Sequence, residues 1–177
     1  RGKHLMEDHF DHAYELEAIL MERGKAKELE EVERIAPDPG RMSYTRQRRP
    51  LGLGHAVWCA RQFINGEPFA VLLPDDLIQA DPGCMKQMIS AYEEVGGNIV
   101  AVEDVPREQT DRYGILDVAD DNGRLARAKG LVEKPSPDEA PSTLSIIGRY
   151  ILQPEVFDHL DKHECGAGGE IQLTDAM

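Results

Sequence analysis

The sequence predicts an α/β fold: a mixed sheet, mostly parallel, flanked by helices and carrying an antiparallel portion in its later part. Two continuous apolar runs, "FAVLLPDD" and "NIVAVEDV", read as strands buried on both faces, with a helix-like segment from Cys84 to Val95 between them. That strand–helix–strand order implies parallel neighbours. Past Pro106 the pattern shifts to shorter strands, "YGILDVA", "RAKGLVEKP" and "SIIGRYIL", the first two joined by the hairpin-type turn "DDNG". A length of 177 residues, with 41% hydrophobic and 30% charged residues, suits one domain with a sizeable core.

Each element has its own signal. From Leu5 to Leu20, apolar residues recur at helical spacing among charges, which predicts an amphipathic helix ending near Gly24. "KAKELEEVERI" is a second, more exposed helix, stopped by the turn residues of "APDPG". "MSYTRQ" alternates like a strand, and His55 to Phe63 is helix-like. The helix from Cys84 ends at Gly96 and Gly97. "CGAGGEIQLTD" reads as a glycine-rich loop entering a helix with Glu170 in its first turn.

Composition removes several classes of function. A formal net charge of −13 repels a polyphosphate backbone, so no nucleic-acid partner is expected, although a few local cations or a divalent metal can still hold one nucleotide. No apolar run approaches a membrane span and no leader opens the chain, which leaves a soluble, cytoplasmic protein as the expectation. Three scattered cysteines, Cys59, Cys84 and Cys165, lack metal-binding spacing and read as reduced thiols.

Four short segments could carry chemistry. In "LLPDDLI" a buried strand ends in Asp75 and Asp76, which puts carboxylates at the strand's carboxyl edge, where α/β sheets bind ligands and where magnesium finds hard oxygens. A turn with a helix cap is the competing reading. In "GLVEKPS", Glu133 could accept from sugar hydroxyls and Lys134 could face a phosphate, provided the strand ends there so that neighbours share one side. A solvated ion pair is the alternative. Gly114, after Arg112 and Tyr113, either admits a ligand to the backbone or eases a strand start. Glu170 is a helix cap or a sugar contact. The "PLGLGHA" stretch has Val57 where a third glycine would complete GxGxxG and lacks a P-loop ending, so it is not a phosphate cradle.

Taken in order and spacing, "RQRRPLGLGHAVWCAR", "FAVLLPDDLI", "RYGILD", "GLVEKP", "SIIGRYIL" and "GAGGEIQLTDA" resemble the bacterial UTP–glucose-1-phosphate uridylyltransferases across essentially the whole chain. The resemblance implies a Rossmann-like nucleotidyltransferase sheet, with a nucleotide-binding part over about residues 1–105 and a sugar-binding, antiparallel part over about 106–177. It also implies transfer of a uridylyl group from UTP to glucose 1-phosphate with Mg²⁺, in a dimer or tetramer of identical chains. By the same resemblance Gln47 and Gly52 meet uracil, Asp75 holds the metal, and Gly114 and Glu133 meet the glucosyl group. Lys134 neutralises the sugar phosphate, and Glu170 joins the sugar pocket. The family's opening "GxGTR" loop, the lysine after it and a C-terminal segment resembling "RYDCG" have no counterpart here, so the chain is expected to be the central portion of an enzyme. Use of dTTP or another hexose phosphate, and a catalytically silent interaction module, are the alternatives.

Overall fold

The structure is a computed structural model that describes Gly2 and residues 4–177. It contains two compact units, one ending at Arg46 and one running from Gln47 to Met177. The first unit holds three short helices, α1 (His4–His9), α2 (Tyr14–Glu22) and α3 (Ala26–Glu33). The single helix expected over Leu5–Leu20 is therefore broken. Side-chain acceptors take the backbone amides at the break: Asp11 Oδ1 accepts from His12 N at 2.8 Å, and Glu17 Oε1 accepts from Ala13 N at 3.0 Å. "MSYTRQ" is not a strand either, because alternation supplies no ladder partner. Tyr44 and Met42 are exposed and meet each other, the hydroxyl lying 2.8 Å from the thioether sulfur.

The second unit carries a five-stranded sheet and three helices, α4 (Leu53–Cys59), α5 (Cys84–Val95) and α6 (Val156–Leu160). Its strands are β1 (Phe69–Leu72), β2 (Ile99–Asp104), β3 (Gly114–Asp121), β4 (Ala126–Glu133) and β5 (Leu144–Leu152). The α/β class holds, but every pairing among the described residues is antiparallel, which corrects the mostly parallel expectation. The reason is that β5 lies between β1 and β2: both pair with it, so the two apolar strands share a direction without touching. β1 is also not buried on both faces; Phe69 and Val71 turn inward, while Leu72 is 52% exposed.

β3 and β4 form the expected hairpin. Its turn is held by Asp121 Oδ1, which accepts from Gly123 N, and by Asn122 Oδ1, which accepts from the amides of Arg124 and Leu125. α5 begins and ends where the sequence predicts, with Gly96 and Gly97 at positive φ stopping it.

The core gathers Tyr150 and Leu152 of β5, Val57 of α4, Val156 and Leu160 of α6, and Ile171 and Leu173 of the last segment. Phe69 stacks on Phe157 at 5.1 Å across the edge of this cluster. Leu152, Leu160 and Leu173 are almost wholly buried, so truncating any of them to Ala costs roughly 2–5 kcal/mol. One irregularity positions the site. Between Val100 and Ala101 the register with β2 shifts, so Tyr150 and Ile147 face consecutive residues and Gly148–Arg149 bulge from that ladder. Bulges of this kind redirect a strand locally.

Candidate active site

At the open end of the hairpin Gly114 pairs with Glu133, and the ladder runs one step further as Lys134 N donates to Tyr113 O at 3.0 Å. Neighbours in a regular strand face opposite sides. Lys134 departs from that rule because its backbone is left-handed, with φ 49°, a conformation that costs a side-chain-bearing residue roughly 1–2 kcal/mol. The turn brings Lys134 Nζ to 4.0 Å from Glu133 Oε1, so carboxylate and ammonium are neighbours in space as well as in sequence. Gly114 leaves room for them: a Cβ there would lie 3.2 Å from Glu133 Oε2 and 3.4 Å from Leu131 Cδ2.

Gly114 and Glu133 line a cleft of about 200 Å³, together with Arg112, Tyr113, Tyr150 and Thr174. Burial, and then the carboxylates of Asp76 and Glu133, push the Tyr150 hydroxyl above its ordinary pKa, because each disfavours a phenolate. The tyrosine thus stays a neutral donor in the field of two carboxylates. Thr174 Oγ1 is buried without a hydrogen-bond partner among the described residues. Such a hydroxyl is costly unless something enters the cleft to meet it.

The two aspartates of "PDD" divide their work. Asp76 Oδ2 accepts from Gly148 N at 2.8 Å, and the Asp76 carbonyl accepts from Arg149 Nη2. Arg149 Nη1 also donates to Leu73 O at 2.7 Å and to Gly148 O at 2.8 Å, so one guanidinium staples the loop on both sides of Asp75 to the β5 bulge. A Cβ on Gly148 would collide with the Asp76 carboxylate and lie 2.6 Å from Leu73 Cβ. Asp75 itself is exposed and has no protein partner among the described residues. It offers one free hard-oxygen ligand in the loop that Arg149 staples. One or two carboxylates suffice for an octahedral ion that takes water and phosphate oxygens elsewhere, so the donor fits a magnesium site. No cluster of three or more candidate ligands occurs among the described residues.

The glycine pair before α4 meets the chain's own backbone. Gly54 N donates to Ile171 O at 2.9 Å and Ile171 N to Leu51 O at 2.8 Å, which zips residues 51–54 to 170–172. A Cβ on Gly52, where φ is 101°, would lie 2.7 Å from Ile171 O and 2.8 Å from Glu170 Cβ. Glycine is required there by packing. Gln47 folds over the same loop, its Nε2 donating to Gly52 O at 2.9 Å and lying 3.0 Å from His55 Nδ1. Glu170 is exposed, extended, and beside Gly52; helical geometry returns only at Thr174–Ala176, so the expected helix first turn is absent at Glu170.

The sequence-derived residues thus fall into two neighbouring sets, Gly114, Glu133 and Lys134 around the cleft and Gln47, Gly52 and Glu170 around the glycine loop. Leu53 and Gln172, which also line the cleft, join them. Tyr150, Thr174 and Arg149 were not singled out from the sequence. The one available signal was a lone arginine inside the apolar run "SIIGRYIL".

No helix among the described residues is long and apolar enough to cross a membrane. The chain is 52% identical over 177 residues to a UTP–glucose-1-phosphate uridylyltransferase of Komagataeibacter xylinus, covering all of this chain and 62% of that protein. It is 50% identical to the enzyme of that name from Bacillus subtilis, of which it covers 60%. It therefore spans about six-tenths of the length of these relatives. A solved UDP-glucose pyrophosphorylase complexed with UDP-glucose superposes with a TM-score of 0.85 at 39% identity, over 99% of this chain and 64% of that one. Residues 3–177 match the nucleotidyl transferase family, whose members generally use a divalent metal. Because that match runs over residues 3–177, the chain belongs to the nucleotidyl transferase family.

Proposed function

We propose that this chain carries the nucleotide- and sugar-recognition part of an enzyme that transfers a uridylyl group from UTP to glucose 1-phosphate, forming UDP-glucose and pyrophosphate. The observation that carries the proposal is the Glu133–Lys134 pair, turned to one side by a left-handed lysine and opposed by Gly114. A carboxylate that accepts from vicinal hydroxyls, beside an ammonium that neutralises a phosphate, suits a sugar phosphate. The half-identical uridylyltransferases support this choice of substrate.

In the proposed reaction a phosphate oxygen of glucose 1-phosphate attacks the α-phosphorus of UTP, and the bond to pyrophosphate breaks in line. No protein nucleophile is needed, so the residues contribute position and charge. Lys134 draws the sugar phosphate into place and offsets its charge, while Glu133 and the Gly114 backbone orient the hexose. Tyr150, held neutral, can donate to a ligand oxygen without adding charge. Gln47 and Gly52 take the uracil, and Glu170 borders the same loop. Magnesium, when bound through Asp75, supplies charge neutralisation at phosphate oxygens. A cytoplasmic homo-oligomer, dimer or tetramer, belongs to the same proposal.

Two measurements test it. Calorimetric binding of UDP-glucose to this chain, in competition with dTDP-glucose and GDP-mannose, should favour UDP-glucose. In the intact enzyme, pyrophosphate release should require UTP and glucose 1-phosphate, and Asp75→Ala should cut turnover far more than it weakens glucose 1-phosphate binding. A preference for dTTP or for another hexose phosphate overturns the substrate assignment.

A further inference from the structure

We infer that His55 is a positioning residue for base selection: its unprotonated Nδ1 fixes the polarity of the Gln47 amide, so that Gln47 meets a nucleobase as an acceptor only. The argument starts from hydrogen-bond valence. Gly52 O can only accept, so the group 2.9 Å from it must be the Gln47 NH₂. The second hydrogen of that NH₂ points at His55 Nδ1, 3.0 Å away. An NH₂ group only donates, so the imidazole must be neutral with its proton on Nε2.

Both amide hydrogens are then used, and Gln47 Oε1 has no protein donor among the described residues. The Gly52 N–H likewise has no acceptor among them. A free acceptor beside a free donor complements a base edge that carries a ring N–H next to a carbonyl. Uracil, thymine and guanine have that edge; with the ring nitrogen opposite Gln47 Oε1 and the carbonyl opposite the Gly52 N–H, cytosine and adenine set an unprotonated nitrogen against Oε1, acceptor against acceptor. The inference rests on the reading of Gln47 as the base contact, and it adds that an imidazole decides which way that contact faces.

The imidazole has a defined setting. Its ring stacks on Trp58 at 5.5 Å and meets His163 edge-on at 5.7 Å, and Cys59 Sγ lies 3.8 Å from Nδ1. Behind the indole stand two charges: Asp161, which accepts from Trp58 Nε1 at 2.9 Å, and Arg61, 3.7 Å over the ring. Protonating His55 places an N–H against the Gln47 NH₂ and breaks the lock; His163 and the Cys59 thiol are the other titratable groups that face the ring.

The test begins without a ligand. In ¹⁵N-labelled full chain, long-range imidazole spectra should find neutral His55 protonated on Nε2, and lowering the pH should move the Gln47 side-chain amide signals in step with His55 and not with His163. Protonation on Nδ1, or Gln47 signals that ignore His55, overturns the inference. UTP and CTP are then compared by calorimetry. His55→Phe, which keeps the ring but removes the acceptor, should lower the UTP-over-CTP preference about tenfold. His55→Asn, whose side-chain oxygen can replace Nδ1, should restore most of it and remove its dependence on pH. Equal behaviour of the two variants overturns the inference. If the unmodified chain has no UTP preference while Gln47 and His55 still titrate together, the uridylyl reading fails and the amide lock stands.

Discussion

Asp75 and Asp76 are adjacent in sequence and chemically identical, yet replacing each by Ala should fail in opposite ways. Asp76→Ala removes a carboxylate acceptor 2.8 Å from Gly148 N and leaves that amide without a partner at a buried residue. A hydrogen bond to a charged group contributes about 1.5–3 kcal/mol, and an unsatisfied buried donor adds to the loss, so the expected cost is about 2–4 kcal/mol. With a urea dependence of about 2 kcal/mol per molar, the unfolding midpoint falls by about 1–2 M. Asp75 is exposed and has no protein partner among the described residues, so Asp75→Ala should stay within about 0.5 kcal/mol of the parent. Urea titrations followed by tryptophan fluorescence report both, because the single tryptophan, Trp58, belongs to the second unit. Manganese binding, read by electron paramagnetic resonance, should be lost in Asp75→Ala. Equal midpoint shifts in the two variants would refute the division of roles, and so would unaltered manganese binding without Asp75.

Two further outcomes follow from backbone and charge. Gly52→Ala forces a side chain into φ 101°, ψ 173°, 2.7 Å from Ile171 O, and should cost roughly 3 kcal/mol or more; a loss below about 1 kcal/mol in thermal denaturation contradicts the close approach. Tyr150 keeps its proton in the folded state at pH values where the unfolded chain, near 10.0, loses it, so its contribution to stability is complete below that value and lost as pH rises. Tyr150→Phe should therefore flatten the fall in melting temperature between about pH 9 and 11, and an unchanged alkaline slope argues against the shifted hydroxyl.

The local elements were the more legible part of the sequence. α5 was readable end to end because its helical period and its two terminal glycines are local signals, and the β3–β4 hairpin because "DDNG" states its own turn. The direction of pairing was not. An apolar run announces a strand without naming its partner, and the placing of β5 between β1 and β2 depends on contacts across most of the chain. The site divided along the same line. Asp75, Gly114, Glu133 and Lys134 stood out because carboxylates, a glycine and a lysine interrupt strand ends. Tyr150 and Thr174 passed as core and loop, since only packing sets a phenol in the field of two carboxylates and leaves a hydroxyl without a partner among the described residues.

The backbone bonds from Ile171 to Leu51 and Gly54 make the glycine loop and the cleft segment one mechanical object. Gln172, Leu173 and Thr174 line the Gly114–Glu133 cleft, and the segment that carries them is hydrogen-bonded to the loop under Gln47. If the proposed roles hold, widening the glycine loop would strain the bonds that hold the cleft segment, and a ligand seated at one end would stiffen the other. On the proposed function, a nucleotide-sugar product spanning both ends would be gripped by a single clasp, and its release would be a matter of opening that clasp rather than of breaking two independent sets of contacts.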